Sequence, residues 1–382
     1  MRIVIVGGGL AAATAATELR DTGFDGEVVV FAAEPHEPYE RPPLSKSVLM
    51  GDKEPASVRC HERQWYADHD VDLHTGERVV AIDRDARTVT TDRGTTTSYD
   101  ALLLATGSQP RHLPEADAVG ALYLRTIDDS EQLRSRLTAG TRVVVIGAGW
   151  IGLEVTSAAR RAGAEVTVVE RADLPLQGVL GDQVAGVFAD LHREHGVDLR
   201  LGASVTGIER RGDGVVVRTD GADIEGDVLV VGIGAVPDTT LAEEAGLDVD
   251  DGVLVDATLR TSDERIWAIG DIASHDHPTL GRIRVEHWDN AIEQAKVAAR
   301  NMAGGSETYD RMPYFFTDQY DLGMEYVGRG GRDDEVVTRG DVPGRVFRAY
   351  WLHDGLVTAA MQVNDWDSSD QIKAAVGMPL TD

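Results

Sequence analysis

One arrangement occurs twice in this chain: a short β-branched strand, a glycine-rich turn, a helix, and a second strand with a glutamate at or just beyond its end. It first occupies Ile3–Val6, Gly7-Gly8-Gly9, Leu10–Asp21 and Val28–Phe31, with Glu34 following. It returns at Arg142–Ile146, Gly147-Ala148-Gly149, Ile151–Arg161 and Val166–Val169, with Glu170 following. Apolar runs without alternation suit strands buried on both faces of a parallel sheet. Strand, helix and parallel strand in that order make a βαβ unit. Two such units predict an α/β fold: two Rossmann-like dinucleotide-binding domains, each a parallel sheet with helices.

The rest of the chain fits around them. Pro35, Pro38, Pro42 and Pro43 mark an irregular stretch. Alternating segments from Asp83 to Ser98 read as strands, with a hairpin turn at Asp92-Arg93-Gly94. Ala101–Leu104, Val228–Val231 and Ile266–Ile269 are further buried strands, leading into Ala105-Thr106-Gly107, Gly232-Ile233-Gly234 and Gly270-Asp271. From about Glu307 aromatic residues become dense and alternation replaces βαβ patterning, with one short helix near Ser369–Val376. The expected organisation is a discontinuous FAD-binding domain (1–110 and 239–306), an NAD-binding domain (111–238) and a C-terminal α+β interface domain (307–382).

The glycine turns have a chemical meaning. In Gly7-x-Gly9-x-x-Ala12 the first glycine makes the tight turn, the second lets backbone approach a pyrophosphate, and the small third residue lets helix pack on sheet. The helix N-terminus supplies unpaired N–H groups and the positive end of a dipole. Glu34 is placed either to accept the ribose hydroxyls or to be a solvated loop acid. Gly147-x-Gly149-x-x-Gly152 repeats the device. A carboxylate at Glu170 would repel a 2′-phosphate, which favours NADH over NADPH, although Arg171 next to it is a cation able to reach one. Asp271 reads either as an acceptor for the ribityl and pyrophosphate region or as a helix N-cap.

Composition removes other classes. The formal net charge is −28, which disfavours nucleic acid or an anionic membrane surface as a partner. The single cysteine, Cys60, forbids an intramolecular disulfide or a multi-cysteine iron–sulfur site; it reads as a small hydrophobe or an idle thiol. The N-terminal apolar run meets glycine too early for a signal peptide. No apolar stretch approaches the about 20 residues that span a bilayer. A cytoplasmic location is expected.

Three stretches carry a resemblance: Pro38-Tyr39-Glu40-Arg41-Pro42-Pro43-Leu44-Ser45-Lys46; Thr261-Ser262-Asp263 leading to Gly270-Asp271; and Arg284-Val285-Glu286-His287-Trp288-Asp289-Asn290-Ala291. With the glycine motifs, the chain resembles the FAD-dependent ferredoxin reductases of oxygenase systems, of the putidaredoxin reductase and biphenyl-dioxygenase ferredoxin reductase type. These lie within the pyridine nucleotide-disulfide oxidoreductase superfamily, and apoptosis-inducing factor is a more distant relative. The resemblance implies FAD contacts at Gly7, Gly9, Ala12, Glu34, Arg41, Lys46, Val79, Ala105, Thr106, Gly107, Arg111, Gly270, Asp271, Glu286, His287 and Trp288. It implies NAD contacts at Gly147, Gly149, Ile151, Gly152, Glu154, Glu170, Gly232 and Gly234. Lys46, Glu154 and Trp288 are the implied catalytic set. In the family the matching lysine lies near the isoalloxazine and pairs with the matching glutamate. Glu154 would also hold the nicotinamide carboxamide, its alternative being a purely structural salt bridge. An aromatic at Trp288 packs by the flavin in the family, with the following helix pointing at the N1–C2=O edge. His287 has an ordinary buried role as its alternative. Phe316 stands where these reductases often carry tryptophan.

The implied activity is hydride transfer from NADH to FAD, then single-electron release to a small iron–sulfur ferredoxin, with rubredoxin as an option, supplying an oxygenase or haem monooxygenase. The two nucleotide cradles would lie back to back so that the redox rings stack. A disulfide reductase or NADH peroxidase needs a cysteine near the flavin, and Arg41–Lys46 has none. The remaining alternative is an NAD(H)-sensing flavoprotein whose redox state controls dimerisation. A monomer or weak homodimer is expected. The 307–382 segment has no excess of basic residues, and the chain stops earlier than typical members.

Overall fold

The computed structural model describes residues 1–380. The chain forms two compact units, each assembled from separated segments. The first contains Met1–Arg41, Pro55–Gln109 and Val236–Pro313; the second contains Pro42–Glu54, Pro110–Ala235 and Tyr314–Asp382.

In the first unit a five-stranded parallel sheet runs in the order Ile266–Ala268, Ala101–Leu104, Arg2–Val6, Glu27–Ala32, Val71–Thr75. The central strand is Arg2–Val6, in register from Ile3 opposite Val28 to Val6 opposite Phe31. Its residues Ile3, Val4 and Ile5 are fully buried, as an apolar run covered on both faces of a sheet requires. Helices Leu10–Asp21 and Trp288–Met302 pack together on it through small residues; Ala12, Ala15, Ala16, Ala295, Ala298 and Ala299 are all buried. A three-stranded antiparallel sheet, Val79–Asp83, Thr88–Thr91 and Thr96–Ser98, contains the Asp92–Gly94 turn.

The second unit has a four-stranded parallel sheet in the order Asp198–Arg200, Glu165–Val169, Arg142–Ile146, Val228–Val231. It also holds a five-stranded antiparallel sheet: Tyr314–Gln319, Leu322–Gly328, Leu356–Val363, Val346–His353, Glu335–Asp341. One apolar cluster joins them, with Leu153, Leu180, Val184 and Phe188 packed among Leu322, Met324, Phe347 and Met361. Compactness therefore groups the 110–235 segment with the antiparallel sheet and adds the Pro42–Glu54 strap, a partition that differs from the functional division expected from sequence. The longest helix, Gln177–Glu194, kinks at Gly181 (φ 72°) and has no counterpart in the sequence reading. Among the described residues no helix is long and apolar enough to cross a membrane.

Candidate functional site

The first glycine turn is dictated by close approach. Gly7 has φ 144°, and a Cβ there would stand 2.2 Å from the Ala105 carbonyl oxygen. Gly9 faces the opposite situation, with no atom within 4 Å of where its Cβ would lie. Helix Leu10–Asp21 starts at Gly9 with no side-chain cap and no acidic residue in its first turn. Its first amides are thus left to a guest, and the open space at Gly9 fits a pyrophosphate. Ala12, fully buried, lies on the face of this helix turned to the core.

Glu34 is not a solvated acid. The Tyr39 hydroxyl donates to its Oε2 at 2.5 Å and Arg41 Nη2 donates to Oε1 at 2.9 Å. Each oxygen retains a lone pair, so the oriented carboxylate has room for ribose hydroxyls. Asp271 lies within the 3₁₀ turn Gly270–Ile272, and its Oδ2 accepts from Ser108 Oγ at 2.8 Å. Gln294 Oε1 receives the Gly270 amide at 2.8 Å. Ala105 donates its amide to Val6 at 2.8 Å, Gly107 accepts from the Asp238 amide at 2.9 Å, and Thr106 Oγ1 donates to the Asp238 carbonyl at 2.9 Å. This fixes Ala105–Gly107 beside the first turn. Val79 is buried at the start of its strand.

Helix Trp288–Met302 begins after His287 with no side-chain cap. The acid in its first turn, Asp289, is clamped by Arg311 at 2.6 and 2.8 Å. Burial pushes the His287 imidazole down to about 4 against the pull of Asp271 and Asp289, so the ring is neutral at pH 7. Glu286 is paired with Arg284. Cys60 is inert: burial, then Glu40, push its thiol up to about 12.

The second turn is equally crowded. A Cβ on Gly147 would stand 2.4 Å from the Gly232 carbonyl oxygen, and one on Gly152 would stand 2.2 Å from that of Gly147. Gly149 is open, its nearest neighbour being Gly232 oxygen at 3.9 Å. Helix Trp150–Arg161 also starts with no cap and no first-turn acid. Glu170 Oε2 accepts the Ala148 amide and Oε1 the Ala172 amide, both at 2.8 Å. The carboxylate is thereby anchored to the turn, while Arg171 is exposed. Ile151 is 45% exposed in the helix's first turn. Gly234, at φ 107°, accepts the Arg111 amide at 2.9 Å.

On the same helix Glu154 points into a buried polar cluster. Lys46 Nζ lies 2.8 Å from Glu154 Oε1, the lysine 13% and the glutamate 4% exposed. Thr317 Oγ1 donates to Oε1 at 2.5 Å and Ser45 Oγ to Oε2. The Phe316 ring centroid is 5.8 Å from the ammonium. A buried ion pair is tolerated only with such additional bonds. The structure thus joins Lys46, Glu154 and Phe316 and supplies two partners, Ser45 and Thr317, that the sequence reading omitted, as it omitted Ser108 and Tyr39 as polar anchors. Of the residues expected to contact FAD, Lys46 and Arg111 belong to the second unit with the whole NAD set; the remainder belong to the first.

Residues 1–295 match the family described as pyridine nucleotide-disulphide oxidoreductase. The chain belongs to that family. Residues 314–378 of this oxidoreductase further match the reductase C-terminal family. It is 41% identical, over 98% of its length and 95% of the other, to the anthranilate 1,2-dioxygenase system ferredoxin–NAD(+) reductase component of Burkholderia cepacia. It is 42% identical to rhodocoxin reductase of Rhodococcus erythropolis, over 100% of its length and 91% of that protein's. Its fold is similar to that in a crystal structure of the covalent putidaredoxin reductase–putidaredoxin complex, with TM-score 0.92 and 36% identity over 98% of this chain and 91% of that one. The oxidoreductase uses FAD and NAD(H), and both glycine turns have the open, uncapped geometry such nucleotides need.

Proposed function

We propose that this oxidoreductase is an NADH-dependent ferredoxin reductase. The observation that carries the reading is the pair of uncapped helix N-termini, each preceded by a glycine turn and each with an oriented glutamate at the end of the next strand. When bound, FAD supplies the chemistry: it takes two electrons together and releases them singly. The chain binds and orients. Residues 1–110 with 239–306 hold FAD, with Gly7, Gly9 and the helix amides at the pyrophosphate, Glu34 at the ribose, and Asp271 and the Trp288–Met302 N-terminus further along. Residues 111–238 hold NADH, with Gly147, Gly149 and Gly152 at its pyrophosphate and Glu170 at the adenosine ribose. Glu154, paired with Lys46, holds the nicotinamide carboxamide; fixing the ring this way substitutes for entropy otherwise lost in the transition state. Residues 307–382 face the partner, a small iron–sulfur ferredoxin, as the names of the relatives suggest.

Anaerobic stopped-flow tests this. NADH should bleach the bound flavin faster than NADPH, and a two-iron ferredoxin should then be reduced in rapid turnover. Faster bleaching by NADPH would remove Glu170 from its assigned role. Slow turnover with each ferredoxin, together with NADH-driven dimerisation, would favour the sensing alternative.

A further inference from the structure

A line of buried polar side chains runs from Glu154 through the second unit. Thr317 Oγ1 donates to Glu154 Oε1 at 2.5 Å, and Gln319 Nε2 donates to Thr317 Oγ1 at 3.4 Å. His192 Nε2 lies 2.9 Å from Gln319 Oε1, and the Tyr320 hydroxyl lies 3.4 Å from His192 Nδ1. Thr317 is 1% exposed, and Gln319 and His192 are fully buried. Polar groups in such a place cost free energy unless bonded.

The direction of every bond follows from its end point. A carboxylate only accepts, so the Thr317 hydroxyl donates to it and is free to accept from the Gln319 amide nitrogen. The Gln319 oxygen only accepts, so His192 carries its proton on Nε2, and Nδ1 accepts from Tyr320. Burial pushes His192 down to about 4, against the bond to Gln319, so the ring is neutral at pH 7. Tyr320 is itself held, stacked on His195 at 3.7 Å and 14°, with its amide donating to Ser157 Oγ at 3.0 Å. All donors therefore point toward Glu154, and aligned bonds polarise one another.

The chain has one weak joint. If Gln319 turned its amide over, it would present oxygen to Thr317, and the threonine hydrogen would leave Glu154. The bond from His192 Nε2 opposes that rotation, because the flipped amide would require the ring to move its proton to Nδ1 and reverse the bond with Tyr320. We propose that His192, acting through Gln319 and Thr317, is a positioning residue that keeps the Glu154 carboxylate oriented for NADH. The proposal rests on the assignment of Glu154 to the nicotinamide end.

Stopped-flow reduction of the FAD-loaded protein by NADH separates the two. Glu154→Gln should slow the limiting rate; unchanged reduction would sink the assignment of Glu154 itself. His192→Phe should lower the limiting rate about threefold to tenfold, the worth of one buried hydrogen bond, with FAD content unchanged. His192→Gln, which again offers an N–H to Gln319, should recover most of the loss. In a Thr317→Val background His192→Phe should change nothing more, because the chain is already cut. Slow Glu154→Gln combined with equal rates in both His192 variants, or with additive losses in the double variant, would overturn the relay alone. If His192→Phe does not fold, Thr317→Val against Thr317→Ser gives the same decision: loss with valine and recovery with serine support it, equal rates overturn it.

Discussion

Glu170 accepts two backbone amides at 2.8 Å, one on each oxygen, so its charge cannot swing away from the second glycine turn. That rigidity suits the proposed discriminating role, in which a 2′-phosphate brought to the ribose position would meet a fixed anion. Glu170→Ala should reduce the NADH-over-NADPH preference in kcat/KM by about tenfold to a hundredfold, the range expected for charge-assisted hydrogen bonds. An unchanged ratio would move specificity elsewhere, Arg171 being the nearest cation. Glu34 and Glu170 were legible because their position, just after a buried strand, is defined by the strand itself. Ser45 and Thr317 were not. Nothing in their local sequence distinguishes them from other hydroxyls, and their role arises only where Pro42–Ser45, Trp150–Arg161 and Tyr314–Gln319 come together around Glu154.

At the scale of elements, both βαβ units were readable because burial on two faces leaves apolar runs with no alternation, and Ala101–Leu104, Arg142–Ile146 and Val228–Val231 have the expected bounds. Helix Gln177–Glu194 was not. Gly178, Gly181 and Gly186 dilute its periodicity, and its kink at Gly181 breaks the phase of the apolar face. The sharing of one core by this helix and the antiparallel sheet was equally hidden, since distant segments meet only in the folded chain. The turns themselves give the strictest element-level test. In Gly7→Ala the new methyl would stand 2.2 Å from backbone oxygen at a φ that L-residues rarely adopt. A destabilisation of about 2–4 kcal/mol is expected, with FAD released before global unfolding, readable as early flavin fluorescence in a thermal ramp. Gly9→Ala, with open space at its Cβ, should leave the melting temperature of the FAD-free protein unchanged and lose FAD affinity, so that only the stabilisation by added FAD falls.

Across the whole molecule, burial pushes three histidines, the fully buried His192 and His275 and the half-buried His287, from 6.5 to about 4. The unfolded chain takes up protons on them below about 6.5, whereas the folded chain does not until about 4. Their contribution is therefore complete above 6.5 and is lost as pH falls toward 4. Glu77, held low by the Thr91 hydroxyl, and Asp227, held low by Arg142, act in the same direction at still lower pH. Melting temperature should fall steadily from pH 7 to 4.5; a flat profile would mean that these rings are hydrated or become charged within the fold. The uncapped starts of Leu10–Asp21 and Trp150–Arg161 reach further than catalysis. Amides reserved for phosphate make each helix partly dependent on its tenant, so ligand occupancy enters the unfolding equilibrium as RT ln(1 + [L]/Kd). Cellular dinucleotide supply thereby sets not only how fast this protein works but how long each copy lasts.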